Sequence, residues 1–467
     1  MIHLEAFQKF KDQFNGKKVT IMGLGLLGRG VGDARFFAQC GADVLVTDLK
    51  SESELIDSIK QLKKFKNIEF VLGEHREQDF ANADIVIKGN NVPLNNKYIK
   101  AAEKAGVRVA MSVTLFAKYA QELGATVVGV TGTRGKTTVT NMIYDSLRSS
   151  TPKLDGNVFL GGNVRGMSTI ELASEIKEGD ILILELDSWI LQGFAYEQFS
   201  PHIAVFTNFY PDHLNYYNNM DEYFADKANI YKYQKDELGD VLIVGEQVVE
   251  YITNRGRTPL RSGTTPIREY IEAVGLPSDW ELRVPGEHNR YNAGIAREVL
   301  QQLGMTDIEI KDALAEFTGV EGRLEYMGEF GSDKVKIYND NNATTPEATI
   351  AGINALANGG NIILIAGGTD KGTELNEVAK IIEQKCSSVH LLEGSGTDRL
   401  APLLSAPSAK CVIHNTFKET VQSALTATRA NDTVLFSPLF SSFGKEFVNE
   451  YDRNDKFKQI IKNYYEQ

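Results

Sequence analysis

One short run of residues constrains the fold of this chain more than any other feature. It follows the apolar stretch TVVGVT, precedes a segment with helical periodicity, and comprises Gly132, Thr133, Arg134, Gly135, Lys136, Thr137 and Thr138. Glycines let backbone N–H groups approach phosphate oxygens, and the start of a helix adds the positive end of its dipole. Although the spacing is shorter than the usual G-x-x-x-x-G-K-[ST] pattern, this phosphate loop predicts a nucleotide site on a parallel α/β sheet.

The rest of the chain repeats the alternation of short apolar runs and helical patterns. Over 467 residues it predicts three α/β domains. We expect the boundaries between these domains near residues 111 and 320. The strands predicted with most support are KKVTIM, DVLVTD, IEFVLG, DIVIKG, TVVGV, ILILEL, IAVFTN, VKIYND, NIILIAGG, VHLLEG and DTVLFSP.

Composition excludes several classes of protein. The net charge of −12 argues against a nucleic-acid partner. No apolar run approaches the roughly 20 residues of a membrane span, and the charged N-terminus has no signal-peptide core. The three cysteines have no metal-ligand spacing. We therefore expect a soluble, cytoplasmic and monomeric protein without a membrane or nucleic-acid partner.

A second glycine turn occurs near the N-terminus. Gly23, Gly25 and Gly28 follow the strand KKVTIM, and Asp48 ends the next strand twenty residues later. This spacing matches the dinucleotide fingerprint, in which the acid binds a ribose hydroxyl. By itself the turn would fit a nicotinamide-dependent dehydrogenase.

Polar residues that follow strands supply candidates for chemistry. Glu185 ends ILILEL, and His213 follows IAVFTN after a turn. Asn289 and Asn292 share one helical face, which suits recognition of an adenine ring or, for Asn289, helix capping. Lys227 lies in a helical pattern, and the pattern alone favours an ordinary solvated lysine.

Further segments occur in a fixed order behind the phosphate loop, and together they resemble the Mur ligases of peptidoglycan synthesis over essentially the whole chain. They are Gly161-Gly162-Asn163, Glu185, Asn208, Asp212-His213, Lys227, Gly286-x-His288-Asn289-x-x-Asn292-Ala293, Arg323, Asp340-x-x-Ala343-Thr344-x-Pro346 and Ser437-Pro438 with Ser442. The D-x-x-A-T-x-P stretch is most similar to the glutamate-adding branch. The resemblance implies a Rossmann-like UDP-substrate-binding domain at 1–111, a central ATP-binding domain with a mostly parallel sheet at 112–320, and a Rossmann-like amino-acid-binding domain at 321–467. The first glycine turn and Asp48 are then expected to hold UDP.

The resemblance implies an ATP-dependent ligase that adds D-glutamate to UDP-N-acetylmuramoyl-L-alanine through an acyl phosphate. It implies Lys136, Glu185, His213 and Lys227 as catalytic residues, with Thr137, Glu185, His213 and a carbamoylated Lys227 around Mg²⁺. The expected ATP contacts are the phosphate loop, Asn289, Asn292, Arg323 and Asp340. The expected substrate contacts are Gly25, Leu26, Leu27, Asp48, Asn91, Asn163, Ser188, Asn342, Thr344, Lys371, Ser442 and Tyr451.

The sequence departs from the family pattern at three places. Ile190 replaces a usual glutamine, Gly89-Asn90-Asn91 replaces a Ser-Pro-Gly-like turn, and Asn342 stands where a lysine is common. The last change leaves open a different amino acid, such as L-glutamate. A folylpolyglutamate-synthetase-like ligase and a non-catalytic nucleotide binder would also fit the phosphate loop.

Overall fold

The structure is a computed structural model. It describes residues 2–26, 28–90, 92–149, 156–164, 166–213, 216–255, 270–357, 361–370, 372–404, 410–441 and 446–466. The chain forms two compact units, the first made of Met1–Gly275 with Gly294–Ala313 and the second of Leu276–Ala293 with Leu314–Gln467.

The first unit begins with a five-stranded parallel sheet of order β3-β2-β1-β4-β5. Its strands are nearly continuous apolar runs because helices cover a parallel sheet on both faces. The elements are α1 (Ile2–Asp12), β1 (Lys18–Met22), α2 (Arg29–Gln39), β2 (Asp43–Asp48), α3 (Ile56–Leu62), β3 (Ile68–Leu72), α4 (Glu77–Ala81), β4 (Ile85–Lys88), α5 (Lys97–Lys104) and β5 (Arg108–Ala110).

The second sheet of this unit is also parallel, with six strands in the order β11-β10-β9-β6-β8-β7. The first glycine turn joins β1 to α2, and the phosphate loop joins the central strand β6 to α7. The elements are α6 (Ser112–Glu122), β6 (Thr126–Thr131), α7 (Lys136–Ser149), β7 (Val158–Gly162), β8 (Ile181–Glu185), α8 (Ser188–Glu197), β9 (Ile203–Phe206), α9 (Met220–Ala228), β10 (Val241–Gly245), α10 (Glu246–Arg255) and β11 (Ile271–Ala273).

The two sheets of the first unit share a continuous apolar core. Phe10 of α1 stacks on Tyr119 of α6 with ring centroids 4.3 Å apart. The first unit also contains a buried polar contact. The carboxylate of Asp33 in α2 accepts hydrogen bonds from the hydroxyls of Ser112 and Ser168. Burial raises the pKa of Asp33 to about 6.

The second unit contains a six-stranded sheet of order β12-β13-β17-β14-β15-β16, in which β12 is antiparallel and the other pairs are parallel. The remaining elements of the chain are α11 (Glu287–Gln302), α12 (Asp307–Glu316), β12 (Glu325–Phe330), β13 (Val335–Asn339), α13 (Pro346–Leu356), β14 (Ile362–Gly367), α14 (Asn376–Lys385), β15 (Cys386–Leu392), α15 (Ser395–Leu400), β16 (Lys410–His414), α16 (Phe417–Thr426), β17 (Thr433–Phe436) and α17 (Glu450–Tyr465).

The predicted α/β class and the parallel sheets are confirmed. The sequence missed six strands, namely β5, β7, β10, β11, β12 and β16, and all of these except β10 lie at the edge of a sheet. Edge strands need not be apolar on both faces, so their signal is weaker. In the described part of the chain, no helix combines the length and apolar character needed to cross a membrane.

Candidate active site

The phosphate loop is fixed where β6 ends and α7 begins. Gly132 has a φ of 148°, and a Cβ at this position would collide with the hydroxyl of Thr207. Only glycine combines this backbone conformation with so close an approach. The tight turn predicted from the sequence is therefore a steric requirement of this loop.

Asn208, just beyond β9, holds the loop in shape. Its carbonyl accepts from the N–H of Thr133 at 2.9 Å. Its side chain accepts from the N–H of Arg134 at 2.8 Å and donates to the carbonyl of Arg134 at 3.2 Å. The sequence singled out Asn208 without giving it a role, because its partners lie more than seventy residues away. Asn208 positions the loop from the neighbouring strand.

Lys136 is the first residue of α7 and folds back over the loop. Its Nζ donates to the carbonyls of Gly132 at 3.0 Å and Thr133 at 3.2 Å. Thr137 and Thr138 follow at the start of the helix and are half-buried. The lysine charge and the helix start thus face the same small volume, as the motif predicts.

Lys227 of α9 is buried against this loop. Its side chain is 1% exposed, and its Nζ donates to the carbonyl of Gly132 at 2.8 Å and to the hydroxyl of Thr131 at 3.3 Å. Burial, and then the charge of Lys136, hold the pKa of Lys227 well below its usual value. The pattern-based interpretation of a solvated lysine is therefore wrong, because tertiary packing decides this burial and helical periodicity does not report it.

His213 lies close enough to Lys136 and Lys227 to feel their charges. Its ring centroid lies 4.8 Å from that of Trp189 and 5.8 Å from that of Tyr223. Burial lowers the pKa of His213, and the charges of Lys136 and Lys227 lower it further. The backbone of His213 has a φ of 55°, in the left-handed region that non-glycine residues rarely adopt. A neutral imidazole is the form that binds a metal ion.

Glu185 ends β8 at the carboxyl edge of the sheet, next to the phosphate loop. It pairs in register with Val130 of β6 and with Gly162 of β7, and it is buried. Its backbone carbonyl accepts from the N–H of Asn163 at 2.8 Å. Ser188, also buried, begins α8 directly after this strand. The structure therefore brings Glu185, Asn163 and Ser188 to one edge of the sheet.

The first glycine turn is closed by a carboxylate. One oxygen of Asp48 accepts from the N–H groups of Leu24 at 2.8 Å and Gly25 at 3.0 Å, and the other accepts from Lys50 N at 2.9 Å. The second oxygen, which accepts only one N–H, keeps a lone pair that could accept from a ribose hydroxyl. Leu26 is exposed beside this turn. Leu27 and Asn91, also expected here, lie outside the described residues.

The second unit contains the remaining expected ATP contacts. Asn289 and Asn292 are both buried at the start of α11, and the Asn289 side chain donates to the carbonyl of Pro285 at 2.7 Å. Arg323 is exposed, whereas Asp340 after β13 is buried and accepts from Leu324 N at 3.0 Å. Burial raises the pKa of Asp340 to about 7, and the nearby charge of Arg323 opposes this rise.

The expected amino-acid contacts also lie in the second unit. Asn342 and Thr344 are half-buried on the turn that follows Asp340, and Tyr451 lies in the first turn of α17. Lys371 and Ser442 lie outside the described residues. Arg453, whose burial no local pattern predicts, is 1% exposed and donates to the side chain and the carbonyl of Asn341, both at 2.8 Å.

Comparison with known proteins identifies the class. Three family models match in order: a Mur ligase MurD-like N-terminal domain at residues 17–111, a Mur ligase middle domain at 130–300 and a Mur ligase glutamate ligase domain at 322–440. The chain belongs to the Mur ligase family and is an ATP-dependent amide-bond-forming ligase. The UDP-N-acetylmuramoylalanine–D-glutamate ligase of Borreliella burgdorferi (strain ZS7) is 34% identical over 97% of this chain and 99% of the relative.

Solved structures agree with this fold. The UDP-N-acetylmuramate-alanine ligase MurC of Thermotoga maritima has a TM-score of 0.59 at 20% identity, covering 96% of this chain and 100% of that one. The MurF ligase of Thermotoga maritima in complex with ADP has a TM-score of 0.55 at 18% identity, covering 91% and 95%. At such identities the likeness concerns the fold alone.

Proposed function

We propose that this ligase joins D-glutamate to UDP-N-acetylmuramoyl-L-alanine in peptidoglycan synthesis. The name of the Borreliella burgdorferi relative, which matches along nearly the whole chain, supports this pair of substrates. The observation that carries the reaction type is the phosphate loop, with Lys136 folded over it and Lys227 buried beneath it. We also propose a monomeric, cytoplasmic enzyme with domain boundaries near residues 111 and 320.

The chemistry follows from the weakness of a carboxylate as an electrophile. A substrate carboxylate oxygen attacks the terminal phosphorus of ATP, and ADP leaves. The amine of glutamate then attacks the acyl carbon, loses a proton, and inorganic phosphate leaves. Lys136 and the N–H groups at the start of α7 would neutralise charge on the transferred phosphoryl group. Most of the catalytic effect is therefore alignment and charge neutralisation.

The donor set around the phosphate loop fits Mg²⁺. Among the described residues, no group of three or more His, Cys, Asp or Glu side chains is placed to hold a metal ion. Mg²⁺ commonly binds one or two protein carboxylates together with substrate phosphates. We propose that Thr137, Glu185, His213 and a modified Lys227 provide the protein ligands. When bound, Mg²⁺ would supply positive charge opposite the phosphate oxygens.

Burial prepares Lys227 for carbamoylation. CO₂ reacts with a neutral amine, and the low pKa of Lys227 favours that form. An ammonium about 4 Å from Mg²⁺ would be repelled by roughly 8 kcal/mol at an effective dielectric constant of 20, whereas a carbamate reverses the sign. We therefore propose a carbamate on Lys227.

The modification is testable directly. With ¹³C-labelled bicarbonate at mildly alkaline pH, the protein should show a carbamate resonance that is lost in Lys227→Ala together with most of the activity. Lys88→Ala is the matched control, because Lys88 is also buried, with its pKa lowered to about 8 by burial. Loss of the resonance in the control but not in Lys227→Ala, or a bare amine at Lys227 in a ligand-bound crystal structure, would contradict the proposal.

The substrates need a separate test. The enzyme should be offered D-Glu, L-Glu, D-Asp and L-Ala with ATP and UDP-N-acetylmuramoyl-L-alanine, and product masses should be recorded. We expect product with D-Glu alone. Product with L-Glu alone would assign the other enantiomer. Product from L-Ala with UDP-N-acetylmuramate alone would assign the chain to another branch of the family.

A further inference from the structure

Arg29 lies where the first glycine turn meets the end of β7. It is the first residue of α2, and its Nη2 donates to the carbonyl of Gly162 at 3.4 Å and to Asn163 Oδ1 at 3.3 Å. Asn163 in turn donates its N–H to the carbonyl of Glu185. Arg29 therefore stands between the turn expected to hold the uridine nucleotide and the strand end expected to face the reacting carboxylate.

The charge of Arg29 has no counter-ion in the described part of the chain. Its Nε is buried without a hydrogen-bond partner, and its two contacts are long and made by one nitrogen. Asp33, one turn along α2, feels the charge, but its oxygens accept from Ser112 and Ser168. Nη1 makes no hydrogen bond within the described residues, so its two N–H donors are available to a ligand.

The start of α2 adds to this positive potential. The helix has eleven residues and no acidic side chain in its first turn. Its dipole is therefore not offset there, and helix starts of this kind favour anions. Gly28 brings the turn close to the second sheet, since a Cβ there would lie 3.2 Å from the carbonyl of Gly166.

Arg35, on the same helix, provides a comparison, because its charge is paired with a carboxylate of this chain. It reaches the 3-10 helix Thr169–Ser174 between β7 and β8, where it forms an ion pair with Glu171 at 2.9 Å. Both arginines thus connect α2 to the segment from β7 to β8, and only Arg35 has its charge balanced within the described residues. The difference indicates that Arg29 has a task besides joining the sheets.

We propose that Arg29 binds the diphosphate of the UDP-linked substrate, which in its bound pose extends from the first glycine turn to Glu185. The inference rests on the proposed function and adds a recognition residue to it. The diphosphate is the one dianionic group between the uridine and the sugar, and a guanidinium matches phosphate oxygens with two parallel N–H donors. The start of α2 would contribute backbone N–H groups to the same group.

Calorimetry with UDP-N-acetylmuramoyl-L-alanine and with UDP tests the proposal without relying on turnover. Arg29→Gln should weaken binding of both ligands by the same factor, about 10- to 100-fold for loss of a charged hydrogen bond. Arg29→Lys should recover part of the loss because the charge returns without the planar fork. Arg35→Gln is the matched control and should lower the melting temperature while leaving both dissociation constants unchanged.

Four results would overturn the assignment. Equal affinities for the wild type and Arg29→Gln would remove Arg29 from recognition. Equal losses in Arg29→Gln and Arg35→Gln, with matching drops in melting temperature, would make its role structural. A loss for the full substrate but not for UDP would move its contact to the acyl end. Failure of the wild type to bind either nucleotide would overturn the proposed function itself, and this inference with it.

Discussion

The first unit contains two strand–turn–helix segments of similar design but opposite electrostatics. The turn after β1 is closed by a carboxylate, because Asp48 takes the N–H groups of Leu24 and Gly25. The phosphate loop after β6 is closed by the neutral amide of Asn208. A carboxylate beside phosphate oxygens would repel them, whereas an amide leaves the positive potential intact. The closing residue therefore distinguishes a turn whose carboxylate is expected to hold a ribose, next to the diphosphate, from a loop that is expected to hold phosphates alone.

The largest effect should come from the charge of the phosphate loop. Lys136→Ala removes the ammonium over the loop and should reduce ATP-dependent product formation by roughly 10³-fold, in line with loss of transition-state charge stabilisation. Binding of the UDP substrate, measured by calorimetry, should stay nearly unchanged. Lys118→Ala, which removes a lysine paired with Glu197, is the control. Equal loss of ATP turnover and UDP-substrate binding would indicate misfolding and remove the distinction between the turns.

The helix after each turn differs too, since α2 has the buried Asp33 and the corresponding turn of α7 has Thr140. The folded pKa of Asp33, about 6, exceeds its ordinary value of 3.8. The folded state then binds more protons, so this carboxyl reduces stability as pH rises from about 4 to 6, by about 3 kcal/mol in total.

Denaturant unfolding between pH 4.5 and 7.5 checks this sign. The stability of Asp33→Asn relative to the wild type should rise with pH up to about 6 and level off above that pH. Asp57→Asn, at an exposed position on α3, should show no such trend. A relative stability of Asp33→Asn that stays flat or falls with pH would contradict the raised pKa.

Exchanging the closing residues tests the comparison itself. Asn208→Asp places a negative charge against the phosphate loop and replaces a donor to the carbonyl of Arg134 with a repelling acceptor. Steady-state kinetics should show the KM for ATP raised by roughly 30- to 100-fold, about 2–3 kcal/mol. Asn141→Asp makes the same substitution in the second turn of α7, away from the loop backbone, and should raise the KM for ATP less. An unchanged KM for ATP in Asn208→Asp would refute the electrostatic distinction.

The reverse exchange should have the smallest effect. Asp48→Asn leaves a single oxygen to accept from three backbone N–H groups and removes the charge. Going from a charged to a neutral acceptor costs about 1–1.5 kcal/mol, so the KM for the UDP substrate should rise about tenfold. The KM for ATP should not move. A rise in the KM for ATP alone would show that Asp48 acts on ATP binding and not on binding of the UDP substrate.

The sequence predicted what depends on local pattern. The strands next to both turns, the phosphate loop itself and the strand-end position of Glu185 follow from apolar runs, glycine spacing and helix starts. What it could not supply are contacts between distant segments. Three sets of hydrogen bonds join residues about 70 to 135 positions apart. They hold the phosphate loop to Asn208, Lys227 to Gly132, and Asp33 to Ser168. No periodicity encodes such pairings.

At Asn342 the sequence shows the replacement of a residue, and the structure shows the contacts around it. Its replacement of a common lysine was visible in the sequence, and so was the missing charge. The structure adds that Asn341, its neighbour, is held by the buried guanidinium of Arg453. A guanidinium thus reaches this segment, which we expect to contact the amino acid, from more than a hundred residues away, and only the folded chain reveals it.

The left-handed backbone of His213 has a practical consequence for engineering. Glycine or asparagine would occupy that conformation at lower energy, by about 1 kcal/mol. A library screened only for heat resistance would therefore tend to discard the imidazole that we propose as a magnesium ligand. Scoring position 213 by stability alone would therefore be misleading, and it should be held fixed in any thermostabilised variant.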